Sequence, residues 1–421
     1  MAHVVTCFVR YRGRVLLVRR SDSVGTFPGR WDGVSGYVEG DPAAAEDDAR
    51  RELREEVGLG DGEVELVRVG APLDASTAEG EFTVHPFLFE AETAETTTNE
   101  EVAEAEWTDP TTVLEREAVP QLWEAWRRVA PTLPTVREDR THGSAWIAAR
   151  ALETLRDAAA DDDADDWESA ARTARKLRDA RPNMAAVSNR VNRAIATAER
   201  TPESVRERCV TLLRESIDAT DAAAANAAER LADSEATTLA TLSRSGTVRA
   251  TVAESDPEAV VVAESRPERE GVGVAEWVAS ETDARATLTT EAALPTALSE
   301  LDVDAAVVGA DAVLPDGRVV NKTGTTALAL AAREAGVPLY AVAARDKVRP
   351  AGDDWTADEG EASDAVYDGT ESVSVFAPTF EATPADLVDA VVTETGLEDA
   401  DDVRRIAEEH AENAAWDESG P

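Results

Sequence analysis

The spacing of apolar residues changes twice along this chain, and each change limits what the following segment can fold into. Residues 4–11 and 14–20 alternate on either side of Arg12-Gly13, the pattern of a β-hairpin. Strands are predicted at 63–69 and 82–90, and helices over about 43–57 and 120–129, giving a mixed sheet flanked by helices. Pro131-Thr132-Leu133-Pro134 breaks this pattern and is the expected domain boundary. Residues 141–230 then carry apolar side chains at i, i+3, i+4 and i+7, the helical period, with an acidic loop at 161–166. From about residue 237 the period changes again. Short apolar runs at 238–242, 259–263, 304–308, 338–343 and 373–376 are each followed by a helical or Gly-rich segment. That alternation predicts a doubly wound parallel sheet of Rossmann-like form. The fold class is therefore α/β. The expected divisions are a mixed α/β sandwich at 1–133, a helical subdomain at 140–232, a parallel-sheet subdomain at 233–395, and a C-terminal helix with a frayed polar tail at 396–421.

The 421 residues include 85 Asp and Glu against 42 Lys and Arg, a formal net charge of −43. With 43% apolar residues the chain can still build cores. The Lys set is only Lys176, Lys322 and Lys347. Such an acidic, Arg-over-Lys composition resembles that of proteins from extreme halophiles. At 1 M salt the screening length is about 3 Å, so self-repulsion is quenched there. No basic patch predicts nucleic-acid binding, and no apolar run approaches membrane-spanning length. Cys7 and Cys209 have no metal spacing, which fits a reduced cytoplasm, and Met1-Ala2-His3-Val4-Val5 lacks a signal-peptide pattern. A cytoplasmic protein is expected.

Arg51-Glu52-Leu53-Arg54-Glu55-Glu56-Val57-Gly58-Leu59 carries the most chemical information. Glu52, Glu55 and Glu56 stand at i, i+3 and i+4, so a helix would bring three carboxylates toward one point. Hard oxygen donors suit Mg²⁺ or Mn²⁺, and such ions suit phosphate-bearing substrates. A solvated acidic helix face has the same spacing, so spacing alone leaves both readings open. Gly58 is a natural helix stop.

The Gly-rich stretch from Trp31 to Asp41 leads into this helix, and the two together resemble the Nudix hydrolase family over about residues 1–133. Residues 51–59 match the second half of the family pattern at every fixed position. The first half departs: Gly36 lies one residue too far from Arg51, and Ala43 stands where the family has glutamate. Glu39 or Asp41 is the candidate replacement. The resemblance implies a metal-dependent pyrophosphohydrolase, with Glu52, Glu55 and Glu56 as catalytic metal ligands and Glu39 or Asp41 as a further one.

Four pieces of the C-terminal half fall after predicted strands, where open α/β sheets bind ligands. Ser243-Arg244-Ser245-Gly246-Thr247 opens a helix and offers hydroxyls and amides to an anion. Glu264-Ser265-Arg266-Pro267 supplies a guanidinium, Gly309-Ala310-Asp311 ends a strand, and Asn321-Lys322-Thr323-Gly324-Thr325 opens another helix. Each alone also reads as an ordinary turn or helix cap. Together they resemble the superfamily of the translation initiation factor two-B regulatory subunits, over about 140–395. That superfamily also contains methylthioribose-1-phosphate and ribose-1,5-bisphosphate isomerases. His142-Gly143-Ser144-Ala145-Trp146, Arg181-Pro182-Asn183-Met184-Ala185 and the segment 309–322 carry the resemblance. It implies a dimer and a phosphosugar or nucleotide pocket at Ser243, Arg244, Ser245, Gly246, Thr247, Arg266, Asp311, Asn321 and Lys322. Ser243 stands where the isomerases have a catalytic cysteine, while Asp311 matches their aspartate. A hydroxyl is a much weaker acid than a thiol, whose pKa is about 8.5.

The leading expectation is a Mg²⁺-dependent hydrolase of a nucleoside diphosphate-linked substrate, fused to a module that binds a small phosphorylated metabolite or nucleotide and forms a homodimer. A non-catalytic nucleotide sensor is the second reading, and a ribose-phosphate isomerase ranks last because of Ser243. A further reading lets the C-terminal ligand tune the hydrolase.

Overall fold

The computed structural model describes residues 2–161, 166–353, 355–356 and 363–417. It divides into two compact units, Met1–Thr132 with Arg156–Asp163, and Leu133–Leu155 with Ala164–Pro421. The segment expected to be wholly helical subdomain thus lends its described residues 156–161 to the first unit. The reason is chemical: within that unit Trp126 Nε1 donates to Asp157 Oδ2 at 2.9 Å, and Arg156 reaches Asp109 at 3.2 Å.

In the first unit, the described residues form an eight-stranded mixed sheet. The predicted hairpin is present as Ala2–Tyr11 and Arg14–Arg20, and Ala2–Tyr11 also runs parallel to Gly80–Ala91. Alternation along Ala2–Tyr11 sends Val5, Cys7 and Val9 to one face and Phe8 to the other. Each face is covered by one helix. Ala45–Val57 packs Ala49, Leu53 and Val57 on the first face, and Leu122–Val129 packs Leu122, Trp126 and Val129 on the second. Gly58, at φ 75°, ends the first helix by donating its N–H to Leu53 O.

In the second unit, helices Trp167–Arg178, Ala185–Ala196 and Pro202–Asp233 precede a seven-stranded sheet. Its order is Arg285–Thr289, Ala259–Ala263, Thr238–Leu242, Ala305–Gly309, Leu339–Val342, Ala390–Thr393, Gly396–Glu398. All neighbours are parallel except the last pair. The first strand in sequence, Thr238–Leu242, lies mid-sheet, and the chain winds outward from it in both directions. The junction between Thr238–Leu242 and Ala305–Gly309 is therefore the topological switch point, where an open sheet leaves a crevice beyond its strand ends.

Two expectations fail here. The run 373–376 is not a strand: it lies outside regular structure, with Phe376 93% exposed, and Ala390–Thr393 holds the place beside Leu339–Val342. The polar tail is not frayed through its described part. Helix Ala400–Ala414 continues into Ala415–Asp417, where Trp416 donates to Asn192 and Asp417 pairs with Arg175 and Arg178. Most of the acidic loop at 161–166 lies outside the described residues. Among the described residues no helix is long and apolar enough to cross a membrane.

Candidate functional site

The first unit opens a cleft of about 460 Å³ between the sheet, the later turns of helix Ala45–Val57 and the approach to helix Leu122–Val129. One end is polar, lined by Arg20, Asp32, Ser35, Glu39, Arg51, Glu52, Glu55 and Glu101. The other is apolar, with Val24, Phe27, Ala75, Phe82, Val84 and Leu122.

Helical spacing sets up the polar end but does not gather Glu52, Glu55 and Glu56 round one point, as the sequence had suggested. Glu55 faces solvent, Glu56 is 4% exposed, and Glu52 accepts from Arg51 at 2.8 Å. Among the described residues no three His, Cys, Asp or Glu side chains are grouped to hold a metal ion. Arg51 is the reason: it also bonds Asp48 and the Tyr37 carbonyl and lies 3.5 Å from Glu39, drawing Glu52 aside. Asp41 does not line the cleft; it caps the turn Pro42–Ala44 by accepting from Ala43 N at 3.0 Å. Gly36 lies directly under Glu52, and a Cβ there would overlap its carboxylate.

The donor chemistry nonetheless fits a hard divalent cation. Among the described residues the Glu56 side chain has no hydrogen-bonding partner, and burial, then the charges of Glu52 and Asp32, push it up to about 8. Burial also raises Glu52 despite Arg51, and raises Asp32 despite Arg20 at 3.3 Å. A buried carboxylate kept among others is stabilised by a cation. Sequence reasoning missed Arg20, Asp32 and Glu101. They come from separate strands and a turn, and no local spacing links them.

In the second unit the switch point brings together three of the predicted pocket residues, Ser243, Asp311 and Lys322. Ser243 follows Thr238–Leu242 and Asp311 follows Ala305–Gly309. Ser243 is held at φ 62°, with its N–H donating to Ser265 Oγ at 2.6 Å. Its hydroxyl donates to Glu270 Oε2 at 2.9 Å, and Lys322 Nζ lies 3.2 Å from the same oxygen. Lys322 also bonds Glu268, and the buried Lys347 donates to Ala310 O. The charges of two of the chain's three lysines act on Asp311. Burial raises the Asp311 carboxyl although Lys347 and Lys322 pull it down. Burial lowers Lys347 against the pull of Asp311. For Lys322, burial works downward, but the bond to Glu268 and the charge of Glu270 outweigh it.

Other predicted members are engaged elsewhere. Ser245 caps helix Gly246–Ser255, whose first turn buries Thr247. Arg244 bonds the Thr141 carbonyl, Arg266 is exposed and bonds Glu264 at 3.2 Å, and Asn321 donates to Thr325 Oγ1 at 3.0 Å. Of the amides expected to cradle an anion, that of Ser243 is taken by Ser265 Oγ, and amides of the two flanking segments are bonded to carboxylates. Glu381 accepts from Gly324 and Thr326, and Glu291 accepts from Ser265 and Arg266. Cationic capacity lies instead in a neighbouring cavity of about 320 Å³, where Arg137, Arg140 and Arg181 share the wall with Asp311, Trp355 and Phe380. Arg181 stood in a recognised motif; Arg137 and Arg140 carried no sequence signal.

Comparison with known proteins agrees with both halves. Residues 1–133 match the NUDIX domain, and residues 140–399 match the Initiation factor 2 subunit family. Methylthioribose-1-phosphate isomerase 2 of Pseudothermotoga lettingae is 32% identical over 136 residues, 30% of this chain and 39% of that protein. Methylthioribose-1-phosphate isomerase of Pseudomonas syringae pv. syringae is 32% identical over 146 residues, 33% of this chain and 41% of the relative. The chain thus spans about two fifths of the length of these relatives. Among solved structures, the translation initiation factor eIF-2B of Pyrococcus horikoshii OT3 aligns with a TM-score of 0.53 at 24% identity, covering 63% of this chain and 94% of that one. The 5-methylthioribose 1-phosphate isomerase of the same organism aligns at 0.52 and 20% identity, covering 74% and 90%. At such identities the likeness is one of fold. The chain belongs to the Initiation factor 2 subunit family through residues 140–399 and carries a NUDIX domain over residues 1–133.

Proposed function

We propose that the NUDIX domain hydrolyses a diphosphate bond in a nucleoside diphosphate linked to another group. The observation that carries this reading is the division of the cleft into an acidic end around Glu52, Glu55 and Asp32, with Glu56 buried beside Glu52 and Asp32, and an aromatic end around Phe27 and Phe82. Glu52, Glu55 and Glu56, with Glu39 nearby, would hold Mg²⁺ or Mn²⁺. When bound, the ion offsets diphosphate charge and activates water. Arg51 orients Glu52, Arg20 holds Asp32, and the aromatic end covers a base. The test is release of monophosphate from diphosphate substrates in molar KCl with Mg²⁺, repeated with chelator. Loss on chelation supports the reading, and equal turnover without metal overturns it. Gly36→Ala should push Glu52 aside and lower kcat about 100-fold, the scale of a small misplacement at a reacting centre, with little change in melting temperature.

A second reading concerns the C-terminal module: aldose–ketose isomerisation of a sugar phosphorylated on its anomeric oxygen. The isomerase relatives favour it over a module that only binds, although the serine at position 243 had ranked it last. Asp311, Lys322 and the Arg137, Arg140 and Arg181 cavity supply groups for proton transfer and phosphate. Arg181→Ala should raise KM for such a substrate at least about tenfold by removing a charge-assisted phosphate contact. Unchanged KM would remove the cavity from the reading. A homodimer through this module belongs to the same proposal, and its mass in KCl solution tests it.

A further inference from the structure

We infer that Glu270 is the proton-transferring base of the C-terminal site and that Ser243 serves to aim it. This rests on the isomerase reading above. The difficulty with that reading was the hydroxyl at position 243, too weak an acid to share in proton transfer. The structure supplies a carboxylate at the same spot. Glu270 opens helix Glu270–Glu281 and turns one oxygen to both Ser243 Oγ, at 2.9 Å, and Lys322 Nζ, at 3.2 Å.

The carboxylate is fixed from several sides. Ser243 is pinned by its N–H to Ser265 Oγ. Gly271, next to Glu270, is packed so closely on the Ala263 carbonyl that a Cβ would overlap it, which sets the start of the helix. Glu270 also lies close enough to Asp311 to act on its charge. Two carboxyl groups in unlike surroundings therefore share Lys322: its charge acts on Asp311, as does that of Lys347, and its Nζ lies 3.2 Å from the Glu270 Oε2 that accepts from Ser243. An acid and a base of this kind are what an aldose–ketose conversion requires.

The proton balance closes with these two groups. The Asp311 carboxyl gives its proton to the ring oxygen as the bond from C1 to that oxygen breaks. Glu270 takes the C2 proton, and the C2–H electron pair forms the C1–C2 double bond of an enol phosphate. Glu270 then returns a proton to C1, and the O2 proton passes to Asp311 as the C2 carbonyl forms. C1 is reduced, C2 is oxidised, and no outside reductant is needed. Ser243 touches no reacting atom; it is a positioning residue.

The experiment uses the full chain in molar KCl with ribose 1-phosphate, 5-methylthioribose 1-phosphate and ribose 1,5-bisphosphate, following ketose by NMR in H₂O and D₂O. The parent is expected to form ketose with deuterium at C1. Glu270→Gln should lower kcat about 10²–10⁴-fold, the usual worth of a general base, with KM within a few-fold. Ser243→Ala should lower kcat about tenfold at unchanged KM, by loosening the carboxylate. Parental kcat in a folded Glu270→Gln variant would overturn the assignment while leaving the isomerase reading standing. Unchanged kcat in a folded Ser243→Ala variant would overturn the aiming role of Ser243. A parent that converts none of the three sugars would overturn the isomerase reading, and this inference with it.

Discussion

Glu56→Gln should lower diphosphate hydrolysis about 10³-fold or more, while the first unit melts at the same temperature or higher. The two halves of this expectation share one cause. Glu56 is a buried carboxylate without a hydrogen-bonding partner among the described residues, kept beside Glu52 and Asp32. Making it a neutral amide removes a group that is costly to bury as an anion. With a divalent ion in the cleft the group would act as an anionic oxygen donor, a role the amide cannot fill. Loss of a single catalytic group that stabilises developing charge costs about 10²–10³ in kcat, and the group here is also a candidate metal ligand. Glu55→Gln alone should cost less, because Glu55 faces solvent. Steady-state kinetics and thermal unfolding on the same preparations check both halves. Equal loss of activity and stability would indicate simple unfolding.

The second large effect is on stability as a function of pH. Glu56 titrates near 8 in the folded chain, against an ordinary value of 4.5. Below 4.5 the group is protonated in both states. Between 4.5 and 8 the unfolded chain releases the proton and the folded chain keeps it. Stability therefore falls as pH rises through this window, by up to about 1.4 kcal/mol per unit, and levels off above it. Glu52 and Asp32, also raised, act in the same direction. With chelator present, hydrogen exchange in helix Ala45–Val57 should be distinctly faster at pH 8 than at pH 5.5. Mg²⁺ added at pH 8 should slow it, since an ion that binds only the folded form stabilises it. Glu56→Gln should flatten the pH slope. A profile in which stability rises from pH 5.5 to 8 would show that the carboxylate is not buried as described.

How far the sequence disclosed this molecule depended on the distance over which each feature is encoded. The helix Ala45–Val57 was readable because Ala49, Leu53 and Val57 recur at its period and Gly58 closes it. The strands of the second sheet were readable where they are unbroken apolar runs, as in Ala259–Ala263. Ala390–Thr393 was missed because its Val-Val pair is short and sits between Asp389 and Glu394, whereas the alternation at 373–376 has no neighbouring strand to pair with. The tail read as frayed because its polarity hides specific bonds: Asp417 pairs with Arg175 and Arg178, more than 230 residues earlier. The sites divide in the same way. Glu52, Glu55 and Glu56 are a local pattern. The turn of Glu52 toward Arg51, the entry of Asp32 and Glu101 into the cleft, and the bond from Ser243 to Glu270 depend on how distant segments meet. Spacing also could not reveal that Glu291 and Glu381 bond the amides of Ser265 and Gly324.

The account stands most directly on turnover by the purified chain in molar KCl. Nucleoside triphosphates, dinucleotides, ADP-ribose and sugar nucleotides should each be incubated with Mg²⁺, with and without chelator, and monophosphate release followed. The account predicts metal-dependent release from at least one of them, lost in the Glu55→Gln/Glu56→Gln variant. A folded chain that binds these nucleotides and cleaves none would contradict it, and would make the NUDIX domain a nucleotide sensor.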